Sequence, residues 1–148
     1  NLVFIDPTDC SLPFTMIESL KRNLPHVDFI INAAVGTDFN RNIVQALLKP
    51  ASYQEVTKKY TTFLGNNSFF KNKEVIQLAT ERNSLGLRNA FREEYINSLK
   101  NIGYEYFGHK QIRHYYDIIF ASSNKKGLEF WDKATRNEYD GQRTLNFI

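Results

Sequence analysis

Asn1-Leu2-Val3-Phe4-Ile5-Asp6-Pro7-Thr8-Asp9 is the stretch on which the fold turns. Leu2 to Ile5 is an apolar run that reads as a buried strand. It ends on an acid, a proline and a second acid. An acid placed where a strand meets its loop sits at the carboxyl edge of a sheet, and in open α/β folds that edge is where ligands bind. Pro7 fixes its own φ and biases Asp6 away from helix, so the carboxylate is held at a sharp exit from the strand.

The residues downstream extend this into an α/β pattern. Pro13 suits the first turn of a helix, with Ser11 as a candidate cap. Phe14, Ile17, Leu20 and Leu24 give that helix, expected near 14–23, one apolar face before Pro25 ends it. Val27 to Ala34 is a second apolar run without period-2 alternation, which suits a strand covered on both faces in a parallel sheet. Strand, helix, strand is a βαβ unit. Gly36-Thr37-Asp38 opens another helix, with Asp38 as a candidate N-cap and Phe39, Ile43, Ala46 and Leu47 on one side, and Pro50 stops it. Ser52-x-x-Glu55 has the form of a capping box ahead of Val56, Tyr60 and Phe63. A short helix is expected over 72–82. Leu87, Phe91, Tyr95, Leu99 and Ile102 mark a longer one, closed by Gly103. Tyr104–Ile112 and His114–Ser122 then read as an antiparallel hairpin, followed by a helix over Leu128–Arg136 and a tail after Gly141 with no clear pattern.

Composition narrows the function classes. The 148 residues are 42% hydrophobic and 24% charged, ordinary for one globular domain with a real core. No apolar stretch approaches the roughly 20 residues of a membrane span, and no basic segment precedes the first apolar run as in a signal peptide. The net charge of +3 permits a polyanionic partner without demanding one. Cys10 is the single cysteine, so an intrachain disulfide and a cysteine zinc cluster are excluded, which suits the cytoplasm. His26, His109 and His114 match no metal spacing, so no metal is expected. The chain does not begin with Met and starts in or beside a strand. We therefore expect residues 1–148 to be a single domain that forms the C-terminal part of something longer.

Two protein classes place an acid at the exit of such a strand: methyltransferases with a D-P-P-Y-like motif, and P-loop NTPases whose acid holds Mg²⁺. No G-x-x-x-x-G-K-[ST] accompanies it here, which disfavours the second. The stretches LVFIDPTDCSLPF, DFIINAAVGTDFNRNI and YYDIIFASSNKKGLEFWDKA resemble the three-Cys-motif partner family of bacteria and phages, whose members are similar to class I methyltransferases. The resemblance runs through nearly the whole chain. It implies the C-terminal half of a Rossmann-like class I methyltransferase: parallel strands with helices, ending in a reversed strand that makes a terminal antiparallel hairpin. It also implies S-adenosylmethionine as cofactor in the full-length protein, bound through a glycine-rich turn that these residues lack, so the 148-residue chain alone is not expected to bind it. A protein with a three-cysteine motif is the implied partner.

Site residues follow from the motif and the strand ends. Asp6 and Pro7 are the candidate catalytic pair, Asp6 orienting a nucleophilic amine or hydroxyl by hydrogen bonding. Thr8, Asp9, Asn32, Thr37, Asp38 and Arg41 are candidate substrate-binding residues, since the end of the second strand should share the edge with Asp6. Thr8 and Asp9 stand where related amine methyltransferases carry an aromatic platform; Phe14 or Tyr53 could replace it. The expected function is a methyltransferase-like activity of unknown acceptor, with the fragment alone inactive. The alternative is a non-catalytic module that binds the three-cysteine partner or nucleic acid. A bare first strand would also favour homo-oligomers through the sheet edge.

Overall fold

The computed structural model describes residues 1–7 and 9–136, without the side chains of Thr37 and Asp38. The opening apolar run forms β1 (Leu2–Ile5), parallel to β2 (Asp28–Ala34), with Leu2 opposite Asp28 and Ile5 opposite Ile31. β3 (Tyr106–Ile112) and β4 (Tyr116–Ser122) pair as an antiparallel hairpin. β4 also runs antiparallel to β2, from Phe29 opposite Ala121 to Ala34 opposite Tyr116. The result, among the described residues, is a mixed four-stranded sheet of order β1-β2-β4-β3, with β4 inserted between β2 and β3.

Seven helices accompany the sheet among the described residues: α1 (Phe14–Asn23), α2 (Thr37–Leu48), α3 (Gln54–Leu64), α4 (Ser68–Lys71), α5 (Lys73–Thr80), α6 (Ser84–Asn101) and α7 (Lys125–Ala134). None is long and apolar enough to cross a membrane.

The pleat sorts β2 and β4 into two chemically different faces. Phe29, Ile31 and Ala33 of β2, with Ile119 and Ala121 of β4, are buried in one core together with residues of α1 to α6. Phe91 of α6 is its centre. Its ring lies 4.7 Å from that of Phe39, 5.4 Å from Phe69, 5.8 Å from Tyr60 and 5.9 Å from Phe63, so α2, α3, α4 and α6 meet on one side chain. Phe14 and Phe63 both pack on Tyr95 one turn further along α6. The aromatics at helical spacing are core, as their periodicity implies.

The opposite face carries Leu2, Phe4, Ile30 and Phe120. There α7 covers the hairpin: Trp131 stacks on Phe120 at 5.3 Å, and Gly108 of β3 makes room, since a Cβ there would strike the indole. The cover stops short of β1. Leu2 and Phe4 are 63% and 59% exposed, so the run read as buried is an edge strand whose second face is open. An apolar sequence does not tell how many faces are covered. Phe130 on α7 is likewise exposed, while its neighbour Trp131 packs on the sheet.

Helix starts differ from the local patterns. Pro13 and Gly36 occupy the N-cap positions of α1 and α2, and Tyr53 that of α3, none with a side-chain cap bond. Ser11, Asp38 and Ser52 are therefore not the caps. Asparagines take that role instead: Asn72, Asn83 and Asn124 accept from backbone amides at the starts of α5, α6 and α7. The last helix begins at Lys125, three residues before the expected Leu128. Ser122 accepts from the Asn124 amide, as a helix entry should. The tail after Gly141 lies outside the described residues.

The aromatic hub gives a direct stability test. Phe91→Ala should cost about 3–5 kcal/mol in urea unfolding, the range for truncating a buried phenylalanine. Phe130→Ala should cost under about 0.5 kcal/mol, as for exposed sites. Equal losses would contradict the packing described.

Candidate functional site

Both parallel strands end at one crevice. β1 runs into Asp6-Pro7, and the turn beyond it brings Asp9 and Cys10 back over the end of β2, where the Cys10 thiol donates to the Ala34 carbonyl at 3.7 Å. A cavity of about 490 Å³ opens there. Asp9 and Cys10 line one side, and Ala34 and Gly36 the strand end. Phe39 and Asn42 come from α2, Lys59 and Tyr60 from α3, and Tyr115 and Tyr116 from the hairpin turn. Volumes of this order suit small-molecule ligands.

Asp6 stands beside this cavity rather than in it. It follows Phe4 on the open sheet face, and its Oδ1 accepts a 2.8 Å bond from Asn32 Nδ2. Asn32 Oδ1 is buried and has no hydrogen-bond partner among the described residues. Asn32 and the cavity residue Ala34 are two positions apart on β2, hence on the same face and about 7 Å apart along the strand. The Asn32 amide fixes one carboxylate oxygen of Asp6; among the described residues the other has no hydrogen-bond partner and can accept a bond.

Asp9 belongs to the cavity wall. Its Oδ2 meets Lys59 Nζ at 3.0 Å, and its Oδ1 accepts from the Ser11 amide at 3.1 Å. Hydrogen bonds from Ser11, then from Lys59, hold its pKa below the usual 3.8. Burial pushes the Cys10 thiol up to about 12, so it stays protonated at neutral pH and is no nucleophile.

The α2 cluster divides. Asn42 faces the cavity, whereas Arg41 lines a separate groove with Val44, Lys49 and Arg82. Thr37 and Asp38 begin α2 beside the cavity's Gly36. Pro7 is half-buried after β1, and Thr8 lies outside the described residues. Phe14 is sealed in the core against Tyr95, which removes it as a stacking platform. Lys59, Tyr60, Tyr115 and Tyr116 are the cavity residues that sequence reasoning missed. Among the described residues no group of three His, Cys, Asp or Glu side chains could hold a metal ion.

Below the hairpin turn, on the core face, Asp117 is buried and accepts a 2.9 Å bond from Arg92 Nη1. Desolvation raises its pKa above 3.8 despite the opposing pull of Arg92, His109 and Arg88.

Comparison with protein-family models, with curated proteins and with solved structures gave no match for this chain. Its chemistry rests on the geometry above.

The two aspartates should titrate on opposite sides of 3.8. Asp9, depressed in the folded state, contributes stability above the unfolded value that is lost as pH falls through its folded pKa. Asp117, raised, contributes stability present below the unfolded value that is lost as pH rises through its folded pKa. Carboxyl-carbon NMR titration should give the lower midpoint to Asp9 and the higher to Asp117; the reverse order would contradict the site electrostatics.

Proposed function

We propose that this chain is the acceptor-binding half of an S-adenosylmethionine-dependent methyltransferase of Rossmann-like class I architecture. The observation that supports this reading is the placement of β4. The last strand among the described residues lies reversed between β2 and β3, in a sheet whose first two strands are parallel and end at the cavity. The resemblance to the three-Cys-motif partner family implies a terminal reversed strand of this kind.

S-adenosylmethionine would supply the methyl group. The described side chains do not fit it: among them the cavity's carboxylate, Asp9, is already paired with Lys59. In this reading the cofactor is held by residues outside the 148. The chain's own part is positioning. The free oxygen of Asp6 accepts a hydrogen bond from the acceptor's amine or hydroxyl and aims its lone pair outward. Asn32 keeps the carboxylate from turning away. The cavity, one pleat step along β2, receives the body of the acceptor. A three-cysteine-motif protein is the partner we propose for the complex.

The test uses protein expressed from its whole reading frame, with labelled S-adenosylmethionine and pools of nucleic acid and protein as acceptors. Asp6→Ala should lower methyl transfer at least about tenfold, since a hydrogen bond to a charged group is worth about 1.5–3 kcal/mol. Its fold should survive, because Asp6 is exposed, with only a modest fall in melting temperature from the Asn32 amide that loses its acceptor. Undiminished transfer would reduce Asp6 to a turn residue. Labelling of no pool by the wild-type protein would favour a binding module.

A further inference from the structure

The cavity has an aromatic wall that the proposed methyl transfer does not use. Tyr115 and Tyr116 are consecutive, and in a regular strand they would point to opposite faces. Tyr115 belongs instead to the hairpin turn, where Arg113 has a φ of 54°, and both residues line the same cavity. Their centroids lie 6.3 Å apart with the planes tilted by 57°. Tyr115 lies over Gly36, where even an added Cβ would come within 3.6 Å of its ring. Neither tyrosine belongs to the core; they are 53% and 43% exposed. Two large rings held at a cavity mouth leave apolar area in water that a flat ligand would cover.

The facing wall is polar. Lys59 Nζ pairs with Asp9 at 3.0 Å, and its side chain is 37% exposed, so it can also meet an anion from the solvent side. Asn42 lines the same cavity. Aromatic rings at the mouth, with a cation and an amide inside, select a planar hydrogen-bonding ring that carries a negative group. Bases stack on tyrosine irrespective of sequence, and a lysine meets phosphate as a point charge.

We infer that this cavity binds a nucleotide, the base stacked on one of Tyr115 and Tyr116 with the other ring against its edge, and the phosphate beside Lys59. The ligand is either a free nucleoside monophosphate or one nucleotide of a single strand. The net charge of +3 suits either. The inference names the acceptor class for the proposed activity and rests on that reading only for this purpose. Binding is measured without methyl transfer, so the two can fail separately.

The experiment titrates the protein with a fluorescein-labelled single-stranded oligonucleotide in polarisation and with the four ribonucleoside monophosphates in calorimetry. The double variant Tyr115→Ala/Tyr116→Ala should weaken binding by about 5- to 150-fold, the equivalent of about 1–3 kcal/mol for a lost stack. Tyr115→Phe/Tyr116→Phe should keep most of the affinity, which a role in hydroxyl bonding would not allow. Lys59→Met should flatten the salt dependence, and Phe130→Ala on α7, which does not line the cavity, should change nothing. Far-ultraviolet circular dichroism checks each fold; if the alanine pair misfolds, the phenylalanine pair and Lys59→Met decide. Saturable binding of monophosphates with these losses assigns a free nucleotide, and binding of the oligonucleotide alone assigns a unit within a strand. No saturable binding of either, or binding indifferent to the Tyr and Lys59 substitutions, overturns the inference. Methylation of a protein acceptor with no nucleotide bound would overturn it too, while leaving the proposed activity intact.

Discussion

Everything in this molecule hangs on the hydrogen bonding of β2 on both sides. One edge takes β1 in parallel and the other takes β4 antiparallel, so within the sheet β2 joins the first strand to the hairpin. Its side chains divide the molecule as well. Phe29, Ile31 and Ala33 anchor the helical core, whereas Asn32 and Ala34 face the open side and lead to the cavity. The strand therefore sets both the packing and the place where chemistry can occur. Tyr104 adds a tie from the far side of the core, donating to the Val27 carbonyl at 2.8 Å just before β2 begins.

The cavity is made from segments far apart in sequence that share only this edge. Lys59 pairs with Asp9 across 50 residues, and the Val35 amide donates to the Tyr115 carbonyl, which seats the hairpin turn over the strand end. The buried Arg92–Asp117 pair fixes α6 under the same turn. Such a pair seldom adds net stability over apolar packing, but removing one partner leaves a stranded charge. It holds the turn in one place, and the turn carries the two tyrosines.

What could be read from the sequence was what repeats locally. The parallel pair, α1 at Phe14–Asn23, the aromatic stripe of α6 and the terminal hairpin all carry a periodicity or a proline boundary that survives folding. What could not be read depends on partners. Leu2-Val3-Phe4-Ile5 is apolar on both faces, so nothing in it shows that Leu2 and Phe4 stay open. Ser52 and Glu55 match a capping box, yet the chain enters α3 through a 3-10 turn at Pro50–Ser52 and Tyr53 takes the N-cap. Arg92 on α6 reads as a solvated charge until β4 supplies Asp117. Of the site, Asp6 and Asp9 were legible from their place after β1. Lys59, Tyr115 and Tyr116 were not, because only the tertiary fold brings them to that edge.

The central claim is that this edge, and not the open apolar face, receives the acceptor. Amide chemical-shift mapping with whichever acceptor proves competent tests it most directly. The account predicts shifts concentrated at Cys10, Val35, Gly36, Lys59, Tyr115 and Tyr116. Shifts confined to Leu2, Phe4, Ile30 and the Phe130 face of α7, with the cavity residues unmoved, would contradict it.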